Sequence, residues 1–480
     1  MALLKRLLIG GIVLGVLAAA GGAASLAVYA TRQTVPAGVI VSGWHAEGVS
    51  LQGFRAKLED AVLLLARQQV RLKAEPAGGV ATSLTLEQLG LRSNADEIIA
   101  QMEALKSGSL WQRAQLRKKL TNRALGLQIT FDKEVLQRTV DQTWIALQKS
   151  EPVNALRIIS PQDEVRIDPG RNGYRIDTEE LLRQLDGRFP PKDWMLGILQ
   201  APIPLTLPLL AIKPAVTEET LKAQGITRKI AEFSTVFPAS GEGRIHNVSS
   251  AAQTVHDMLL PPDGIFDYSK IIQETEKKFG FQEAPVILNG KLVPGVGGGI
   301  CQVSSTLYNA VLLGGLQIVE RRNHSLPVSY VTPGLDATYA DGYINFKFKN
   351  NTGHHLLIRT SMDNGRLTVK LFGQTPSDIT YEVVTKTIRE LPAPNKYVQN
   401  PTLRKGKKVT LQQGKPGLIV ETYRVKKQNG NVVSTDLVSR DAYAPQPTLI
   451  AVNGDESKLG DDTAPAPSVI EDGVRGPNFR

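Results

Sequence analysis

An uncharged, mostly apolar run from Leu7 to Ala30, preceded by Lys5 and Arg6, constrains everything that follows it. The run is 24 residues long, and about 20 suffice to span a bilayer as a helix. Positive charge before the span keeps the N-terminus cytoplasmic and exports the rest, residues 33–480. A cleaved signal peptide is the competing reading, because small residues cluster from Ala18 to Ser25. The apolar core of such peptides is usually shorter, so residues 1–32 are read as a single-pass membrane anchor, or as a signal if cleaved.

Exported chains often rely on disulfides, but this one has a single cysteine, Cys301. An internal disulfide and a four-cysteine zinc site are both excluded. The chain must therefore be held together by its cores. Its 480 residues, 42% hydrophobic, allow this, and at roughly 100–200 residues per domain about three domains are expected. Lysine and arginine exceed aspartate and glutamate by 56 to 46. The excess is spread thinly, without the basic stripe of a nucleic-acid binder, so no nucleic-acid partner is expected. The six histidines are scattered and no H-x-x-x-H pair occurs. No metal site and no cofactor are expected.

Residues 38–215 mix short strands with amphipathic helices. Val39–Val41 reads as a strand and Leu51–Leu72 as a helix with Leu58, Val62, Leu65 and Leu72 on one face. The stretch Gly90–Met102 resembles Gly173–Leu185 at an offset of 83 residues. Each copy offers a polar cap and acids in the first helical turn, where the macrodipole favours negative charge. Two copies of an α+β unit are expected. Ile203–Ile212 reads as one strand alternating around prolines, and 216–235 as a helical connector. Residues 236–373 form a further α+β unit. Residues 380–453 read as all-β, with Gln428-Asn429-Gly430-Asn431 carrying an Asn-Gly hairpin signal. The polar tail, 454–480, is expected to be disordered.

The densest signal is Val293–Leu313. Gly295 and Gly297–Gly299 permit backbone conformations closed to other residues and a close approach to a ligand. From Cys301 on, Val303, Leu307, Ala310 and Val311 recur at helical spacing, placing Cys301 at a helix N-terminus. Unsatisfied N–H groups there favour a thiolate, so a lowered thiol pKa is expected. The alternative is a buried packing cysteine, since free cysteines are among the most buried residues. A phosphate loop is disfavoured because no lysine follows in the required pattern. His324, expected at the mouth of a strand beginning near Val328, is the candidate base. His246 and His256 are weaker candidates.

Together, Gly297–Ala310, His324-Ser325, Gly334-Leu-Asp-Ala-Thr338 and Phe348-Lys-Asn-Asn-Thr352 resemble the motifs of the VanW family. Arg244-Ile-His-Asn-Val248 and Phe266-Asp-Tyr-Ser269 resemble two further motifs, the second in degraded form. The resemblance covers about 236–373. Residues 38–215 resemble the peptidoglycan-binding region often found before such a domain, and 380–453 resemble the G-five module often found after it. The expected fold class is thus α+β multidomain: N-terminal membrane anchor, α+β repeat region, α+β VanW-like domain and small all-β C-terminal module.

The resemblance implies a cysteine L,D-transpeptidase forming 3–3 cross-links, with Cys301 as nucleophile. His324 is expected to serve as base, and the loop Gly298, Gly299 and Ile300 to hold the oxyanion. Arg244, Asn247, Ser304, Ser325 and Asp336 are expected to meet substrate. Peptidoglycan stem peptides, cell-wall polymers and, through the N-terminal segment, the membrane are the expected partners. The C-terminal module carries no candidate nucleophile and is expected to be separable from the chemistry. The competing class is a non-catalytic wall-binding scaffold in which Cys301 only packs.

Overall fold

The computed structural model describes residues 2–75, 81–189, 201–237, 240–288, 291–454 and 469–475. Helix and strand are mixed throughout, and the chain divides into two compact units.

The first unit comprises residues 1–154 and 170–215. It opens with the helix Ala2–Thr31, of which Leu8–Thr31 is long and apolar enough to cross a membrane. The helix Leu51–Ala66 starts at Ser50, whose side chain accepts the Gly53 N–H, and buries Leu51, Phe54, Leu58, Ala61 and Leu65. It stops six residues earlier than Leu72. Gln69–Lys73 is a strand in which Val70 and Leu72 are buried and their neighbours exposed. Alternation with period two, which a helical reading of Leu72 overlooks, decides that segment. The 83-residue offset joins two segments that both fold as a short strand followed by a helix: Leu91–Ser93 with Ala95–Glu103, and Gly173–Ile176 with Thr178–Asp186. Asp177 caps the second helix through the Glu180 N–H. Asn94 makes no such cap, since its side chain is taken by Gln128 N–H and Gly126 O. The segment 203–212 is two strands, not one. Ile203–Thr206 runs parallel to Gln69–Lys73, whereas Leu209–Ile212 pairs with Gly173–Ile176.

The second unit comprises residues 155–169 and 216–480. The expected helical connector, 216–235, contains only the short helix Glu218–Ala223. Arg228–Val236 is instead an outer strand of a four-stranded antiparallel sheet with Arg366–Gly373, Leu356–Asp363 and Met258–Leu260. Apolar residues of this sheet, together with the helices Glu242–Val255, Tyr268–Phe279 and Ile300–Leu313, share one core. The motif 266–269 serves that core: Phe266 stacks on Phe348 at 5.0 Å, and Tyr268 meets Tyr339 edge-on at 5.7 Å.

Residues 379–454 form two three-stranded sheets. The hairpin Gly417–Gln428/Asn431–Tyr443 turns at Asn429 and Gly430, both with positive φ, as an Asn-Gly type I′ turn requires. The tail is not wholly without structure. Ile470–Glu471 adds a third strand beside the hairpin Glu283–Leu288/Lys291–Val296.

Candidate active site

The strand Lys291–Val296 runs into Gly297, Gly298 and Gly299, and the helix Ile300–Leu313 begins at once. Gly297 and Gly299 have φ of +90° and +107°, and a Cβ at Gly298 would lie 2.4 Å from the Pro285 carbonyl oxygen. Only glycine fits such positions. Asn247 clamps the loop, its amide donating to the Gly298 and Gln282 carbonyls and its oxygen accepting the Gln282 N–H. The Tyr268 hydroxyl donates to Ile300 O at 2.6 Å.

Ile300 through Leu312 are all buried. The polar residues of this helix therefore need internal partners, and they find many of them along the strip Leu335–Tyr339. Ser304 Oγ donates to Ala337 O at 2.6 Å, Ser305 Oγ accepts the Ala337 N–H, and Asn309 donates to Leu335 O. Cys301 Sγ belongs to the same lacing. It accepts the Tyr339 N–H at 3.0 Å and lies 3.5 Å from Tyr339 O.

His324 is fully buried, as is Asp336. Asp336 Oδ2 lies 2.7 Å from His324 Nδ1 and also accepts the His324 N–H. Burial pushes the Asp336 carboxyl up, but the His324 hydrogen bond, Arg321 and Tyr443 outweigh it and hold the carboxyl at about 2, below its ordinary 3.8. An ionised carboxylate only accepts, so His324 Nδ1 carries the proton and Nε2 is the ring's other position. Nε2 is buried and has no hydrogen-bond partner. Since the native carboxyl is more acidic than the unfolded one, its contribution to stability is complete above about pH 4 and lost as pH falls towards 2. Urea midpoints measured between pH 5 and 2.5 are expected to fall, and Asp336→Asn should flatten that slope.

Two further groups complete the cluster, and neither was anticipated from sequence. Arg321, with its side chain 4% exposed, donates to both carboxylate oxygens of Asp441 and to the Asp336 carbonyl. The Tyr443 hydroxyl donates to Asp336 Oδ1. Asp441 and Tyr443 belong to the C-terminal module, so that module is not separable from the site. Its side chains position the carboxylate that orients His324.

Above the helix start sits the tail. Asp472 Oδ1 accepts the N–H groups of Gly299 and Cys301 at 3.2 and 2.8 Å, and Oδ2 pairs with Arg244 at 3.3 Å. Glu471 accepts both the N–H and the hydroxyl of Ser325. The expected acidic thiol is thereby reversed. Burial, then the neighbouring Asp472 charge, push the Cys301 thiol well above its ordinary value. A helix N-terminus lowers a thiol pKa only while its N–H groups are free to serve the sulfur, and here a carboxylate has them.

The expected substrate contacts divide in the same way. Asn247, Ser304 and Asp336 are fully buried and bonded within the chain. Arg244 and Ser325 meet tail carboxylates, and Arg244 also donates to Gln302 at 3.0 Å. Arg244, Gln302, Tyr330 and Asp472 are among the residues lining a cleft of about 710 Å³. His324 stands on irregular chain rather than beside a strand at Val328. Cys301 and His324 share the strip 336–339, which holds one at each end, and the thiol's hydrogen bonds go to Tyr339.

The glycine-loop helix and its laced cysteine lie in a segment matched by a family model, and this chain belongs to the VanW family. The model for VanW like protein matches residues 243–372. It is preceded by a match to "Putative peptidoglycan binding domain" at 82–192 and followed by G5 domain at 380–454. The chain is 34% identical over 242 residues to the uncharacterized protein YoaR of Bacillus subtilis (strain 168), covering 50% of this chain and 73% of that protein. It is 27% identical over 153 residues to the vancomycin B-type resistance protein VanW of Enterococcus faecalis (strain ATCC 700802 / V583), covering 31% and 56%. Among solved structures, HP0197-G5 is 26% identical, covering 16% of this chain and 100% of its own, with a TM-score of 0.12. The IgA1 protease G5 domain is 25% identical, covering 17% and 100%, with a TM-score of 0.13.

Proposed function

We propose that this protein is an exported, membrane-anchored cell-wall protein that transfers acyl groups between peptidoglycan stem peptides through Cys301, as an L,D-transpeptidase making 3–3 cross-links. The observation that carries this reading is the buried His324–Asp336 pair, whose Nε2 has no partner and which is held by the same short strip, 336–339, that holds the Cys301 thiol. The order nucleophile, base, orienting carboxylate is the triad logic of acyl transfer. In the reaction His324 Nε2 takes the thiol proton and the thiolate attacks the donor carbonyl. The N–H groups of Gly299 and Cys301 receive the oxyanion. The amide C–N bond breaks, the departing D-residue's amine takes the proton from His324, and a thioester remains. An acceptor amine then attacks the thioester and returns the thiol. The 82–192 region and the G5 module support a wall polymer as the place of action, with the apolar helix as anchor and the N-terminus inside.

The second reading, a wall-binding scaffold, is favoured by the thiol's complete burial and raised pKa. The two separate on one assay, the appearance of 3–3 linked dimers when the protein is incubated with a soluble tetrapeptide muropeptide. His324→Ala is expected to slow dimer formation by roughly 10²–10⁴-fold, the usual share of general acid–base catalysis. Dimers forming equally fast with His324→Ala would remove the imidazole from the mechanism. No dimers even with the tail displaced from the site would leave the scaffold.

A further inference from the structure

The groups proposed to receive a substrate oxyanion are already holding a carboxylate, and the manner of holding has the features of peptide binding. Ile470 and Glu471 pair antiparallel with Leu288 and Ile287. Arg475 O accepts the Val296 N–H at 2.7 Å, and the Val474 N–H donates back to Val296 O at 2.9 Å. The tail thus lies across the hairpin as an added strand, the geometry by which sheets capture extended peptides. The glycine loop makes room for it. A Cβ at Gly295 would lie 2.6 Å from Arg475 O, and one at Gly297 3.0 Å from the Val474 side chain. Asp472 has a φ of +59°, a turn that aims its carboxylate at the Gly299 and Cys301 N–H groups and at Arg244. Such a backbone persists where the surroundings enforce it.

We infer that this edge, the N–H pair and Arg244 form a binding site for an extended peptide bearing a C-terminal carboxylate, its scissile carbonyl at the N–H pair and its carboxylate at Arg244, and that the chain's own segment Ile470–Arg475 occupies it as a competing intramolecular ligand. The external ligand expected here is a stem peptide with a free C-terminal carboxylate, so the assignment rests on the function proposed above for its identity but not for its geometry. A tethered segment acts at an effective concentration on the order of millimolar. An external peptide gains access when the tail is drawn away or outcompeted, and only then is the thiol uncovered.

The test uses the full-length chain and the alkylation rate of Cys301, which needs no turnover and so stands or falls apart from the catalytic reading. Asp472→Ala is expected to label at least about tenfold faster than the parent. Gly473→Val provides a second, independent release, because a Cβ there would lie 2.3 Å from the Val286 side chain. In either variant a soluble tetrapeptide with a free carboxylate should slow labelling again, while its C-terminal amide should not. Parental labelling rates in both variants, with the fold intact by circular dichroism, would overturn the occluding role. Equal protection by acid and amide would overturn the carboxylate site. Labelling of the parent that quickens on dilution would assign the segment to a neighbouring copy and overturn the intramolecular arrangement.

Discussion

Cys301→Ser is expected to abolish acyl transfer, by on the order of 10⁴–10⁶-fold, the scale on which losing a nucleophile is felt in acyl-transfer enzymes. The fold should survive. A serine hydroxyl at this position can accept the Tyr339 N–H that Sγ now accepts at 3.0 Å, and it is smaller than the thiol it replaces. It remains a poor nucleophile, because in the same surroundings a hydroxyl holds its proton far more tightly than a thiol. Dimer formation measured beside thermal melts separates the two effects. Unchanged turnover in a folded Cys301→Ser chain would mean that another group carries the acyl transfer.

The largest effect on stability is expected at Arg321. Arg321→Met should cost about 3–5 kcal/mol, the usual penalty for leaving a buried charge without its partner. The guanidinium answers two carboxylates, Asp441 and Asp336, whose side chains are 6% and 1% exposed. Removing it leaves Asp441 charged in the core with the neutral Ser439 hydroxyl beside it, whereas Asp336 keeps Tyr443 and His324. The double variant Arg321→Met/Asp441→Leu should regain part of the loss, since removing both partners no longer leaves Asp441 charged and unpaired. Urea unfolding of the three chains measures this. A single variant within about 0.5 kcal/mol of the parent, the range of ordinary surface substitutions, would show the cluster to be dispensable.

Local signals carried far in this chain where one residue type has one physical use. The glycine run, the Asn-Gly turn and the acids of the first helical turns all fold as their chemistry demands. Period reading failed where two elements abut without punctuation. At Leu72 a strand residue happened to continue a helical face, and at 228–236 an alternating strand followed a short helix closely enough to be absorbed into it. The site was legible in part. Cys301, His324 and Asp336 stand in motifs, but no motif gives the 2.7 Å pairing of the Asp336 carboxylate with the His324 ring. The partners Arg321, Asp441, Tyr443, Glu471 and Asp472 carry no local pattern. Two lie in a polar tail whose composition argues for disorder, and their order comes from pairing with a distant strand and from meeting the N–H groups of a helix end. The thiol's pKa failed for that reason: the helix N-terminus was foreseen and its occupant was not.

The most direct measurement is intact-protein mass spectrometry of the full-length Asp472→Ala chain after incubation with a tetrapeptide muropeptide and no acceptor. One covalent adduct is expected, equal in mass to the donor less its terminal D-residue, mapping to Cys301 and released by an added amine or by hydroxylamine as a thioester would be. No adduct on a chain whose Cys301 is shown by alkylation to be accessible would contradict acyl transfer through Cys301.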